Sequence, residues 1–170
     1  MNDRSERGFT LVELLAVMAI GAMLLTLGAG ALRQYTRTKA LQGARDMTVT
    51  SLRNAQQRTS SEGYPRAYGV RFLDDGTRWD VVRYDASTGA CTVVESHTLS
   101  NGVTIAAATE FPDSAAATAC RAASPNASGA YEVALFYARG TATAGSATFL
   151  LAGSTSTRTV TVNGATGRVS

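Results

Sequence analysis

FTLVELLAVMAIGAMLLTLGAGAL, residues 9–32, is the long apolar run of this chain, and Glu13 is its one charge. From Leu14 to Leu32 nothing is charged. Roughly 19 residues at about 1.5 Å of rise make about 28 Å of helix, close to the thickness of a bilayer's hydrocarbon core. The polar stretch before the run, Met1 to Gly8, is short and holds Arg4 and Arg7. Three accounts of this segment compete. A plain transmembrane helix leaves Glu13 unexplained, because a carboxylate there is costly without a partner. A secretory signal peptide finds an A-x-A-like site in Ala29-Gly30-Ala31, but the apolar region is long and Glu13 interrupts its start. A cut at Gly8/Phe9, with the apolar run kept as an anchor, gives every feature a role.

In that third account the small Gly8 lets a protease approach the backbone closely. Cleavage creates an α-amine on Phe9, and Glu13 becomes the fifth residue of the shortened chain. Residues 9 and 13 lie about 6 Å apart along a helix, so Glu13 pairs more easily with the amine of a neighbouring subunit than with its own. In hydrocarbon such a pair offsets much of the desolvation of both charges. The charge pattern therefore points to assembly. The flanking cations argue the other way on orientation. Arg33, Arg37, Lys39 and Arg45 outnumber the two arginines of the leader, and the positive-inside rule alone would keep the far side in the cytoplasm.

Arg7-Gly8-Phe9-Thr10-Leu11-Val12-Glu13-Leu14-Leu15 resembles the type III signal of type IV pilins and pseudopilins. The resemblance implies that a prepilin peptidase cuts after Gly8 and methylates Phe9, and that Glu13 helps the subunit join a filament of other pilin or pseudopilin subunits. It also implies a single-pass inner-membrane protein whose C-terminal domain lies outside the cytoplasm. The expected organisation is a leader at 1–8, a membrane and filament-core helix at 9–32, an amphipathic helix half at 33–62 and a β domain at 63–170.

Helical spacing continues past Leu32. Tyr35, Leu41, Ala44, Met47 or Thr48, Leu52 and Ala55 form one moderately apolar stripe, with Arg37, Arg45, Arg53 and Arg58 mostly on other faces. Gly63 and Pro65 supply the stop. Tyr68–Leu73 and Arg78–Tyr84 alternate around Asp74-Asp75-Gly76-Thr77, a hairpin signal. Further strands are expected at Cys91–Leu99, Val103–Ala107, Glu132–Ala138, Ala147–Leu151 and Arg158–Asn163, with a short last strand after the turn at 163–167. Residues 109–130, rich in Ala, Ser and Pro, are expected to be a loop or insert. One long helix followed by short antiparallel strands is an α+β pattern. Leu41–Ala55, Gly69-Val70, Phe136 with Gly140, and Val160-Thr161-Val162-Asn163 before Thr166-Gly167-Arg168-Val169 are similar to the GspH/FimT group of minor pilins and pseudopilins. That similarity implies a long N-terminal helix packed on two small antiparallel sheets.

Cys91 and Cys120 are the two cysteines and form no CxxC. In an exported chain the pair reads as a disulfide, which would pin the 109–130 segment to the sheet; two unrelated buried thiols are the alternative. No enzyme is expected. His97 is the one histidine and lies in an expected strand without a nucleophile motif, and HExxH, Walker A and G-x-S-x-G patterns are absent from the sequence. No metal site or cofactor is expected, because ligands are too few for zinc and Asp74-Asp75-Gly76 lacks the ligand spacing of a calcium loop. Asn126-Ala127-Ser128 matches a glycosylation sequon, a pattern common by chance.

Residues 121–170 hold Arg121, Arg139, Arg158 and Arg168 against one acid, Glu132. Some FimT-like minor pilins bind DNA through an arginine-bearing C-terminal strand and turn. The resemblance thus gives a second function, DNA binding for uptake, with Arg158 and Arg168 as its residues and contacts that are salt-sensitive. The family's DNA-binding tail carries a further arginine where this chain has Ser170, and aromatic residues for stacking are few here.

Overall fold

Gly63, at a φ of +65°, ends a helix that runs from Leu11 to Glu62 (α1). Its N–H returns to the Thr59 carbonyl at 2.9 Å, and a glycine takes this left-handed cap without a Cβ penalty. The computed structural model describes residues 10–73, 76–108, 114–122 and 131–170. The other elements, in chain order, are β1 (Arg66–Leu73), β2 (Arg78–Asp85), β3 (Ala90–Thr98), β4 (Val103–Ala108), α2 (Ala115–Ala122), β5 (Tyr131–Phe136), β6 (Gly145–Leu151) and β7 (Thr157–Val162). The chain falls into two units, Met1–Thr36 and Arg37–Ser170. The fold is α+β, a long N-terminal helix with antiparallel sheets. There are two sheets, as the family resemblance implied: one of order β3-β2-β1-β5 and one of order β4-β6-β7.

In the first unit every large apolar side chain described is exposed, from Leu11 to Leu32. In the second, the remainder of α1 buries the expected stripe from Leu41 onward: Leu41, Ala44, Thr48, Leu52 and Ala55. Thr48 takes the place that Met47 competed for, and Met47 and Tyr35 are exposed. A buried threonine is tolerable because its hydroxyl bonds back one turn. Thr48 Oγ1 donates to the Ala44 carbonyl at 2.9 Å and Thr59 Oγ1 to the Ala55 carbonyl at 3.0 Å. Thr59 Oγ1 also accepts the Tyr68 N–H at 2.9 Å, tying the helix to β1.

Strand alternation sorts the four-stranded sheet into two faces. Tyr68, Val70, Phe72, Trp79, Ala134 and Phe136 face α1 and share its core with Val103, Phe149, Val160 and Val162 of the other sheet. Val82, Val133 and Leu135 face the opposite way, where Ala116, Ala117 and Cys120 of α2 cover them. Gly69 lies on this second face. A Cβ there would stand 2.1 Å from the Ala134 carbonyl oxygen, so only glycine lets β1 and β5 approach as they do.

Two expectations are corrected. Residues 109–130 are not all loop: Ala115–Ala122 is helical. Ser114 caps it, its Oγ accepting the Ala117 N–H at 3.0 Å. The run Ala-Ala-Ala-Thr-Ala-Cys-Arg-Ala has high intrinsic helix propensity, and packing against β2, β3 and β5 supplies what so short a helix lacks alone. Second, the expected last strand is reduced to one bridge, Val162 with Val169. Asp74 and Asp75 of the hairpin turn and Asn126-Ala127-Ser128 lie outside the described residues.

At the helix end, Tyr68 Oη donates to Glu62 Oε1 at 2.7 Å and Arg66 Nη1 to Glu62 Oε2 at 3.0 Å. The tyrosine hydroxyl first, then the guanidinium, holds the Glu62 carboxyl below its ordinary value. A depressed folded-state value stabilises above the unfolded one, and that contribution is lost as pH falls through the folded value.

Candidate functional site

Thr10 stands one residue before α1 and organises its first turn. Its carbonyl accepts the N–H groups of Glu13 (3.1 Å) and Leu14 (3.2 Å), and its Oγ1 accepts the Glu13 N–H at 3.3 Å. Thr-x-x-Glu is the spacing of a capping box. Glu13 therefore sits in the first turn, exposed, where unsatisfied N–H groups favour an anion by about 0.3–1 kcal/mol. The carboxylate has this local role beside any role between subunits. Behind it, the one hydroxyl between Leu14 and Leu32 is satisfied inside the helix: Thr26 donates to the Met23 carbonyl at 2.8 Å. The helix is long and apolar enough to cross a membrane. Gly8 and Phe9 lie outside the described residues.

Residues 3–29 match the prokaryotic N-terminal methylation motif. Two solved structures of the minor pseudopilin EpsH, from the type 2 secretion system of Vibrio cholerae, share the fold. One is 13% identical with a TM-score of 0.55, over 77% of this chain and 94% of that one. The other is also 13% identical, with a TM-score of 0.54 over 78% and 92%. The chain thus joins an N-terminal methylation motif to a fold like that of a minor pseudopilin. No curated protein matches it in sequence.

Cys91 of β3 and Cys120 of α2 are joined, with Cα atoms 5.0 Å apart. The bond straps α2 to the sheet and closes a loop between positions 29 apart. The chain-entropy account of such a loop gives about 3.6 kcal/mol. Replacing both cysteines by serine is therefore expected to lower the unfolding free energy by about 3.6 kcal/mol. Denaturant titration of the detergent-solubilised chain, oxidised against double variant, measures it.

Arg158 and Arg168 are both exposed, but the structure does not bring them together. Arg158 lies near the start of β7 in the alternation of the buried Val160 and Val162. Arg168 stands opposite Asn163, whose N–H bonds its carbonyl at 2.9 Å, and it precedes the buried Val169. By strand alternation the two project to opposite sides of the sheet. Arg158 Nη1 donates to the Thr157 carbonyl at 3.0 Å, and neither arginine is ion-paired among the described residues.

His97 stacks on Trp79 at 5.1 Å between ring centres and lies 3.2 Å from Glu95. Sequence reasoning missed a buried ion pair. Arg71 Nη2 meets Asp80 Oδ2 at 2.5 Å, Ser96 Oγ donates to Asp80 Oδ1 at 2.7 Å, and Arg71 Nη1 donates to the Cys120 carbonyl at 2.9 Å. The signal was available. The expected hairpin pairs Leu73 with Arg78 across its turn, and counting back along both strands sets Arg71 opposite Asp80.

Proposed function

We propose that this chain is a minor pilin or pseudopilin, a structural subunit of a type IV pilus or a type II secretion pseudopilus. Prepilin peptidase cuts it between Gly8 and Phe9 and methylates Phe9. The subunit then waits in the inner membrane through its apolar helix, with Arg37–Ser170 outside the cytoplasm, until that helix enters a filament core beside those of other subunits. The observation that carries this is an apolar helical segment, its large described side chains exposed, that begins inside a methylation motif spanning residues 3–29. Helices already in lipid gain little from hydrophobic burial against one another, so close packing and polar pairing drive association. Gly21 and Gly30 leave open space where a neighbouring helix fits closely.

The mass of the N-terminal peptide, from protein made in its native membrane, tests the proposal. A chain starting at Phe9 and about 14 Da heavier for one methyl group is the expected result. A chain starting at Leu32 would remove the filament helix and the proposal with it.

A further inference from the structure

The two sheets have four outer strands, and the chain's own backbone closes three of them. On β5, Thr143 N–H bonds the Leu135 carbonyl at 2.9 Å, and Phe136 bridges to Ala142. On β7, Thr161 and Ser170 exchange bonds of 2.9 and 3.0 Å. On β4, the Ile105 N–H bonds the Gly76 carbonyl at 2.7 Å. The backbone of the fourth, β3, hydrogen-bonds only to β2 along Cys91–Thr98 among the described residues. It is also the longest strand and exposed on both faces, with Val93 and Val94 well over a third accessible. Natural edges are blunted by lysine, proline, short length, bulges or charged side chains; β3 has no lysine or proline and is not short, and its guards are Glu95 and one bulge. Its one irregularity is a bulge at Val94, where pairing passes from Val81–Glu95 to Val82–Val93.

Beside this edge runs a groove of about 400 Å³ between β3 and α1, lined by Met47, Asn54 and Arg58 from the helix, Val81 from β2, and Glu95 and His97 from the strand. An open edge next to a helix-walled groove is the geometry in which an added strand gains main-chain hydrogen bonds and sets alternate side chains into pockets.

We propose that the β3 edge along Val94–Thr98 receives an extended strand from a different protein. The strand carries an arginine or lysine that faces Glu95 in the groove. A second copy of this chain suits the edge poorly. Two-fold antiparallel pairing of β3 with itself would set the α1 segments antiparallel and point their Arg37 ends in opposite directions, although both lead to anchors in one membrane. The membrane argument rests on the proposed function; the open edge does not.

The test uses the full chain in its native membrane with a benzoylphenylalanine photoprobe at Thr98. The expected adduct maps to one stretch of another protein whose residues alternate as in a strand. Val94→Lys, an added edge guard at an exposed position, should lower its yield at least tenfold, and Val94→Thr should leave it unchanged. An adduct with residues 123–130 of the same chain, with a second copy or with a helical stretch would overturn the proposal. So would the absence of any adduct, or a yield indifferent to Val94→Lys. The adduct is read in the membrane, before any filament forms. A chain left unprocessed at Gly8 therefore counts against the proposed function alone, and an absent adduct on a processed, methylated chain against the edge alone.

Discussion

Glu13→Ala is expected to leave the chain processed and in the membrane, and to cut its entry into filaments on the order of a hundredfold. In the proposed assembly the carboxylate meets the α-amine of a neighbour's Phe9 in a low-dielectric helix bundle. Removing one partner strands the other, which costs about 3 kcal/mol or more. At roughly 1.4 kcal/mol per decade that is about two decades in equilibrium incorporation. The helix-capping geometry supplies a competing magnitude. If Glu13 served only the first turn below Thr10, its loss would cost about 0.3–1 kcal/mol, a change of about two- to fivefold. Quantitative immunoblotting of sheared filaments against the membrane pool separates the two sizes. Glu13→Asp keeps the charge and should recover most of the incorporation, whereas a pure cap effect would leave Asp and Ala variants close together near the native level. Equal incorporation of Glu13→Ala and the native chain would remove Glu13 from assembly.

The sequence made the helix and most strands legible because their patterns are local. The stripe from Leu41 to Ala55 repeats at helical spacing, and the strands alternate between turns that Gly63, Gly76 and Gly102 mark with positive φ. Three features escaped for different reasons. The helix Ala115–Ala122 sits in a stretch whose small residues carry almost no hydrophobic pattern, so its signal was propensity and a serine cap rather than periodicity. The choice of Thr48 over Met47 depended on i−4 bonding of the hydroxyl, which makes a polar residue acceptable inside. The open edge of β3 could not be read at all, since an edge exists only once strand order is known and β5 has inserted beside β1 rather than beside β3.

The same distinction bears on the arginines. Basic residues clustered in sequence suggested one surface, but strand alternation sends Arg158 and Arg168 to opposite sides of the second sheet. The arginine with the largest structural consequence lies within β1. Arg71 and Asp80 are 1% and 3% exposed, on the sheet face that α2 covers.

Asp80→Ala is accordingly expected to destabilise Arg37–Ser170 by about 3–5 kcal/mol, because it leaves a buried guanidinium without its carboxylate. Against a typical total of about 5–15 kcal/mol this is a large fraction. The loss should not be uniform. Arg71 also donates to the Cys120 carbonyl at the end of α2, so the pair orients the guanidinium that holds that helix on the sheet. Hydrogen exchange should quicken first in α2 and the adjoining part of β3, while the α1 stripe and the β4-β6-β7 sheet keep their protection. Asp80→Asn retains an acceptor for Arg71 and should cost less than Asp80→Ala. Replacing Arg71 and Asp80 together by methionine and leucine removes both charges and should recover much of the loss, since a well-packed apolar pair often matches a buried ion pair. A double variant as unstable as Asp80→Ala would mean that the hydrogen bond to Cys120, rather than the charge pairing, sets the stability of this face. An Asp80→Ala cost below about 1 kcal/mol, the range of an exposed pair, would mean that water reaches the guanidinium beneath α2.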